Sequence, residues 1–237
     1  LLGYIYTKQR RYVEAESVYK RALIISEKIH GSEHPNVAIV LTKLANIYDK
    51  QGLFDKAVQH YKRSLKIYEK ALGSDHTDVA IVITKLAHVY FQQALYNKAE
   101  ELYKRSLTIF EKKLGPEHIY IAIILTSLAH IYFTQARYED AEPLYKRALA
   151  LREKALGPEH PDVATSLNDL AYLYDDLLRF AEAEPLYKRS LKIFEITYGP
   201  NHPHIAITLN NLAELYYHQG RYAEAEQLYK RALAIRE

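Results

Sequence analysis

Five histidines stand at one position of a recurring pattern, and they are the residues that first suggest chemistry in this chain. They are His34, His76, His118, His160 and His202, each 42 residues after the one before. Imidazole is a common zinc ligand, but its nitrogen must lie about 2.0–2.1 Å from the ion. Equivalent side chains on neighbouring helical repeats lie about 8–10 Å apart or more, so they cannot share one ion. We therefore predict that these histidines bond to the start of the following helix.

Other groupings that could carry chemistry meet similar objections. His88 and His130 recur at the same spacing and are equally far apart. Asp175 and Asp176 form a pair of carboxylates, which we place on an open helix face where nothing would raise a pKa. Glycines occur singly rather than in a phosphate-binding loop. We therefore expect no catalytic residue, no metal ion and no cofactor, and the chain is not predicted to be an enzyme.

Composition narrows the classes of partner. The chain has 32 Lys and Arg against 29 Asp and Glu, a net charge of +3, whereas nucleic acid requires clustered basic residues. No apolar run approaches the ~20 residues of a membrane-spanning helix, so we expect no membrane association. The absence of cysteine is typical of a reducing compartment, and we expect a cytoplasmic protein. Methionine is absent even at position 1, which predicts a fragment of a longer protein.

A 42-residue repeat organises the chain and predicts an all-α fold. The tripeptide Tyr-Lys-Arg recurs in register from Tyr19, Tyr61, Tyr103, Tyr145, Tyr187 and Tyr229. Apolar residues three and four apart, such as Ile205, Leu209 and Leu212, predict an amphipathic helix A in each copy. We predict helix A at about 36–51, 78–93, 120–135, 162–177 and 204–219, and helix B at about 11–30, 53–72, 95–114, 137–156, 179–198 and 221–237. These form a single array over 1–237, with repeats at about 1–35 (partial), 36–77, 78–119, 120–161, 162–203 and 204–237 (truncated).

The connections between helices follow two patterns. The first five helices B each end at a glycine, for which we expect the left-handed conformation: Gly31, Gly73, Gly115, Gly157 and Gly199. Glycine also stands between helices A and B at Gly52 and Gly220, whereas other copies have Arg10, Ala94, Ala136 and Leu178. Non-glycine residues adopt the left-handed conformation only at a cost. These turns are therefore either strained or built differently.

Strings such as LNNLAELYYHQGRYAEAEQLYKRALAIRE and EKALGPEHPDVA resemble the tetratricopeptide repeat, in its 42-residue variant found in kinesin light chains and bacterial arrays. The resemblance covers the whole chain. It implies an α-solenoid of stacked helix pairs forming a right-handed superhelix, with helices A lining a concave groove that holds a peptide. In the family, asparagines of helix A hydrogen-bond the ligand backbone, and Asn168, Asn210 and Asn211 match them. Earlier copies depart from this pattern with Thr42-Lys43, Thr84-Lys85 and Thr126-Ser127.

Helical geometry selects the groove residues independently, as those opposite the buried stripe of helix A. The predicted peptide-binding residues are Ile39, Thr42, Asn46, Ile81, Thr84, His88, Phe91, Ile123, Thr126, His130, Phe133, Asn168, Tyr172, Asp175, Asn210, Asn211, Glu214 and Tyr217. An aliphatic residue, a histidine and a phenylalanine occur where solvent would favour charges, which indicates an interaction site. The alternative is that these side chains pack on their own neighbours. The earlier part is basic through Lys43, Lys50 and Lys85, and the later part is acidic.

The predicted function is a scaffold that binds a protein or peptide segment. Two alternatives stay open from the sequence. The array could be the sensor or regulatory part of a larger signalling enzyme, such as an NTPase. It could also self-associate end to end, because apolar faces of the first and last helices would lack a neighbouring repeat.

Overall fold

The structure is a computed structural model that describes residues 1–236, and in this range the chain forms twelve helices and no strand. The helices are α1 (Leu2–Lys8), α2 (Tyr12–His30), α3 (Pro35–Lys50), α4 (Phe54–Leu72), α5 (Thr77–Gln92), α6 (Tyr96–Leu114), α7 (Ile119–Thr134), α8 (Tyr138–Leu156), α9 (Pro161–Asp176), α10 (Phe180–Tyr198), α11 (Pro203–His218) and α12 (Tyr222–Arg236). They belong to two compact units, unit 1 from Leu1 to Pro116 and unit 2 from Glu117 onward. The all-α prediction is confirmed. No helix in the described range is long and apolar enough to cross a membrane.

Helices of two lengths alternate along the chain. The odd-numbered helices from α3 to α11 are the predicted helices A and have 16 residues, while the even-numbered helices from α2 to α10 are the predicted helices B and have 19. Their bounds lie within one residue of the prediction at each end inside the described range. Within each unit, every helix packs on the next one along the chain.

The core of each unit consists of residues that keep their type from copy to copy. In unit 1, Leu44 and Ala45 of α3 and Tyr61 of α4 are almost fully buried. In unit 2, Leu167 of α9 and Leu209 of α11 meet in one cluster of buried apolar side chains. Burial of one such leucine stabilises the fold by about 1.5–3 kcal/mol. Because these positions stay apolar and similar in size, with only Ile83 and Gly3 as exceptions in type, the helices keep one packing arrangement within each unit.

A buried serine joins helix B to helix A in three repeats. The hydroxyl of Ser190 donates to the carbonyl oxygen of Ala164 at 2.7 Å, and Ser64 and Ser106 donate to the equivalent carbonyls at 2.9 and 3.0 Å. All three serines are fully buried, so these bonds satisfy groups that water cannot reach.

The glycines that end the helices B adopt positive φ, as predicted, but not the left-handed helical conformation. Gly31, Gly73, Gly115, Gly157 and Gly199 have φ between 79° and 89° with ψ between 154° and 167°. This extended region at positive φ is populated almost only by glycine. A Cβ at Gly157 would meet no atom within 4 Å, so the backbone conformation, not lack of space, requires glycine.

The turns between helices A and B all have the same backbone conformation, so those with a non-glycine residue are not built differently. Arg10, Ala94, Ala136 and Leu178 have φ of 55–59°, against 72° and 76° at Gly52 and Gly220. In the turn after α3, the backbone amide of Gly52 donates to the backbone carbonyl of Asp49 at 3.0 Å, and that of Leu53 donates to the backbone carbonyl of Tyr48 at 2.8 Å. The turn after α9 repeats both bonds with Leu178 at the glycine position. This pair of bonds is the Schellman motif, so the non-glycine residues are strained.

Candidate functional site

The five registered histidines cap helices, as predicted. The Nδ1 atom of each accepts a hydrogen bond from the backbone amide two residues later, at 3.1–3.3 Å, for His34, His76, His118, His160 and His202. An acceptor at the N-cap satisfies an amide that has no partner within the helix. Within residues 1–236, no three His, Cys, Asp or Glu side chains converge as metal ligands.

In unit 1, several polar residues of the predicted groove bond to helices B. Thr42 Oγ1 lies 2.7 Å from Ser64 Oγ, and Thr84 Oγ1 lies 2.6 Å from Ser106 Oγ. The side-chain carbonyl of Asn46 accepts a 2.6 Å hydrogen bond from Tyr61. Among the apolar members, Ile39 is exposed and Ile81 is half-buried. These polar groups already have partners within the fold, so a ligand would have to compete for them.

Unit 1 also carries the predicted basic charges. Burial lowers the pKa of Lys85, and the neighbouring Lys43 and Lys50 lower it further, while the Asp49 carboxylate opposes them. His88 is exposed at the surface, but partial desolvation of its ring lowers its pKa, and its Nε2 lies 3.1 Å from Gln92 Nε2. The half-buried ring of Phe91 packs on Tyr96 at 5.7 Å between centroids.

In unit 2, aromatic rings from consecutive helices A lie side by side. The ring of Phe133 on α7 lies 5.4 Å from that of Tyr172 on α9 and 5.5 Å from that of Tyr138 on α8. Tyr172 is 44% exposed, and Tyr217 on α11, which contacts Tyr222 at 5.4 Å, is 57% exposed. Exposed tyrosines offer a ligand apolar area together with a polar edge.

Polar side chains accompany these rings. The amide of Asn211 donates to the side-chain oxygen of Asn168 at 3.4 Å, while Asn210 is half-buried and Glu214 is exposed. His130 Nε2 lies 3.7 Å from a carboxylate oxygen of Asp169. We name the following set the A-helix face of unit 2: Ile123, Thr126, His130, Phe133, Asn168, Tyr172, Asn210, Asn211, Glu214 and Tyr217.

The hydroxyl of Thr126 already makes two hydrogen bonds within the fold. It donates to the carbonyl of Ala122 at 2.9 Å and accepts from Arg152 Nη1 at 3.0 Å. Ile123, one turn earlier on α7, is an exposed aliphatic side chain. The other polar residues of the face therefore have more hydrogen-bonding capacity left for a ligand than Thr126 has.

The placement of Asp175 on an open helix face was wrong. Asp175 is only 5% exposed, and its Oδ1 atom has no hydrogen-bond partner. Burial raises its pKa, and the negative charges of Glu214 and Asp176 raise it further, whereas His218 opposes them. The sequence contained one signal, because Asp175 stands at a position that is aromatic in three other copies, at Phe91, Phe133 and Tyr217. The buried hydroxyl of Tyr187 also has no hydrogen-bond partner. The sequence did not indicate this, because the position of Tyr187 in the repeat predicted only packing in the core.

Helices of 16 and 19 residues that recur every 42 residues define a helical-repeat protein. The sequence model described as the tetratricopeptide repeat matches residues 1–70, 41–112, 78–154, 120–196 and 176–237. The chain therefore belongs to the tetratricopeptide repeat family. No curated protein sequence matches it.

Solved structures agree with this assignment. BtubC (BKLC) from P. vanneervenii superposes with a TM-score of 0.81 at 25% identity, covering 96% of this chain and 90% of that one. A kinesin-light-chain-like protein of Podosopora anserina, with nearly identical TPR-like repeats, gives 0.73 at 27% identity, covering 86% and 96%. The apo form of RapI gives 0.74 at 16% identity, covering 99% and 94%, and this likeness concerns the fold alone. Repeats of this family generally mediate protein–protein interactions.

Proposed function

We propose that the A-helix face of unit 2 binds an extended peptide segment of a partner protein. The observation that carries this proposal is the run of accessible aromatic rings across three helices, from Phe133 through Tyr172 to Tyr217. Phe133 contacts Tyr172, and both tyrosines stay accessible; accessible aromatic rings are typical of the anchors of protein interfaces, where tyrosine is enriched.

The amide groups give the face a second property of a peptide site. Asn168 and Asn211 are joined only by a long 3.4 Å contact, which a peptide backbone could replace with shorter bonds. An extended peptide presents both N–H and C=O groups, and an asparagine side chain pairs with both. In unit 1, Thr42, the counterpart of Asn168, and the nearby Asn46 are bonded at 2.6–2.7 Å within the fold, so unit 2 offers the better backbone contacts.

The test selects peptides on the full chain from a random displayed library and measures the affinity of one labelled peptide by fluorescence anisotropy. Tyr172→Ala and Phe133→Ala should each weaken binding about tenfold, as expected for interface anchors. Ile196→Ala is the matched control, because Ile196 is 67% exposed on helix B and lies outside the face. Unchanged affinity in the Tyr172→Ala/Phe133→Ala double variant would refute the proposal.

A second candidate is end-to-end self-association through α12. Tyr222, Tyr229 and Leu233 expose apolar area on this helix, whereas Tyr187, which is equivalent to Tyr229, is fully buried. A second copy packing there would cover the same kind of surface that a following repeat covers within a unit. Light scattering decides this candidate, because the mean mass should rise with concentration and Leu233→Asp should abolish the rise.

A further inference from the structure

The Asp175 carboxylate lies buried in unit 2 without a counter-ion in good contact. The residue is 5% exposed, and Oδ1 has no hydrogen-bond partner. The nearest group that could carry positive charge is the ring of His218, with Nδ1 3.5 Å from Oδ1, which is too long for a good hydrogen bond. Asp175 is also the penultimate residue of α9, where the partial negative charge of a helix C-terminus disfavours an anion. A buried carboxylate in this position is costly unless a cation pairs with it.

The neighbours of Asp175 increase the negative charge instead of compensating it. Glu214 on α11 and Asp176 on α9 act electrostatically on the carboxylate, and both raise its pKa. The hydroxyl of Tyr187 on α10 is fully buried, has no hydrogen-bond partner, and interacts electrostatically with Asp175 first among its neighbours. Two buried oxygens without a hydrogen-bond partner therefore interact with each other beside two further carboxylates.

Unit 1 contains the same aspartate in a contrasting environment. Asp49 stands 126 residues before Asp175, three repeats of 42, and its Oδ1 atom likewise has no hydrogen-bond partner. Lys85 interacts electrostatically with Asp49, Lys43 and Lys50, and the counterparts of the three lysines in unit 2 are Asn211, Asp169 and Asp176 respectively. The next neighbour of Asp49, His88, corresponds to Glu214. Lys85 of unit 1 interacts electrostatically with the half-buried Asp49, whereas the charged neighbours Glu214 and Asp176 of Asp175 in unit 2 are anions.

Aromatic rings lie beside the anionic region of unit 2. The phenol of Tyr172 interacts electrostatically with Glu214, Asp176 and Asp175, and the ring is 44% exposed. Tyr217 is 57% exposed on α11, one turn from Glu214. A guanidinium group stacks on such rings and bonds a carboxylate in the same plane through its five N–H donors. An ammonium group supplies the charge without the planar fork.

We propose that unit 2 recognises an arginine side chain of its peptide partner, with the guanidinium paired to Asp175 and Glu214 beside the rings of Tyr172 and Tyr217. This inference rests on the proposed peptide-binding function and names the side chain that specifies the peptide. The bound cation supplies in unit 2 the positive charge that Lys85 brings near Asp49 in unit 1.

The test uses the ¹⁵N-labelled full chain and three acetylated, amidated pentapeptides of alanine whose central residue is arginine, citrulline or lysine. Citrulline keeps the shape of arginine without its charge. The arginine peptide should shift the amide resonances of Asp175, Tyr217 and His218 in an NMR titration. Its affinity should exceed that of the citrulline peptide about tenfold or more, as expected for charge-assisted hydrogen bonds.

The same Asp→Asn substitution, made at two equivalent positions of the repeat, makes the test specific. Asp175→Asn should abolish the preference for arginine over citrulline, while Asp49→Asn, the same change at the equivalent position of unit 1, should leave it intact. Equal affinities of the arginine and citrulline peptides, or an unaltered preference in Asp175→Asn, would overturn the inference. Equal binding of the lysine peptide would overturn the assignment to a guanidinium group. None of these results bears on the proposed function, which the Tyr172 and Phe133 variants decide separately with library-selected peptides.

Discussion

At equivalent positions of the turns between helices A and B, replacing leucine by glycine and replacing glycine by alanine should change the free energy of unfolding in opposite directions. Leu178 has φ of 57° and Gly220, one repeat later in unit 2, has φ of 76°. The left-handed conformation costs a non-glycine residue about 1–2 kcal/mol, whereas glycine costs about 0.5–1 kcal/mol through the greater freedom of the unfolded chain. Leu178 is 69% exposed, so its side chain contributes little burial. Leu178→Gly should therefore raise the free energy of unfolding by about 0.5–1 kcal/mol, and Gly220→Ala should lower it by a similar amount.

Urea unfolding followed by circular dichroism measures both changes, read as shifts of the midpoint at constant slope. Leu178→Ala is the control, because it removes the side chain but keeps a non-glycine residue in the left-handed conformation, and it should remain close to the parent chain. A Leu178→Gly variant that is less stable than Leu178→Ala, or a neutral Gly220→Ala, would refute the strain assigned to these turns.

Three further predictions concern the polar groups of the site and the caps. Burial raises the pKa of Asp175, so its ionised carboxylate destabilises the fold above that pKa. Asp175→Asn should therefore raise the melting temperature near neutral pH. This gain should vanish in acid, where Asp175 of the parent chain is protonated in both the folded and the unfolded state. His160→Ala should lower the free energy of unfolding by about 0.5–2 kcal/mol through loss of the N-cap acceptor, whereas His160→Asn should restore it in urea titrations. Tyr187→Phe removes an unpaired buried hydroxyl and should stabilise unit 2, while Tyr61→Phe breaks the 2.6 Å bond to Asn46 and should cost about 1–2 kcal/mol in the same assay.

The sequence predicted the helices closely because their determinants are local and repeated. Spacings of three and four along helix A select one apolar face, and the register brings Leu44 and Leu212 into equivalent buried places. The capping role of His160 also followed from position, since it directly precedes a proline that suits the first turn of a helix.

The depth of a side chain beneath the helix face could not be predicted in the same way. Helical geometry places Asp175 and Tyr172 on one side of α9, yet the first is buried and the second is 44% exposed. This difference depends on the size and direction of side chains on α10 and α11, which the period of α9 alone does not contain. The bonds of Thr42 and Thr84 to serines of the following helix are equally nonlocal.

In our proposal, the constant positions of the repeat serve stability and the variable positions serve recognition. Leucine, alanine and tyrosine at the registered core positions hold the helices of each unit together, so the positions around the buried aspartate are free to differ between copies. Near Asp49, Lys85 supplies a positive charge from within the fold. Around Asp175, Glu214 and Asp176 raise its pKa further, so we expect the ionised carboxylate to lower stability and to attract a cation. Such a site exchanges stability for binding, and the same substitution, Asp175→Asn, should therefore stabilise the free chain and weaken its hold on an arginine-containing peptide.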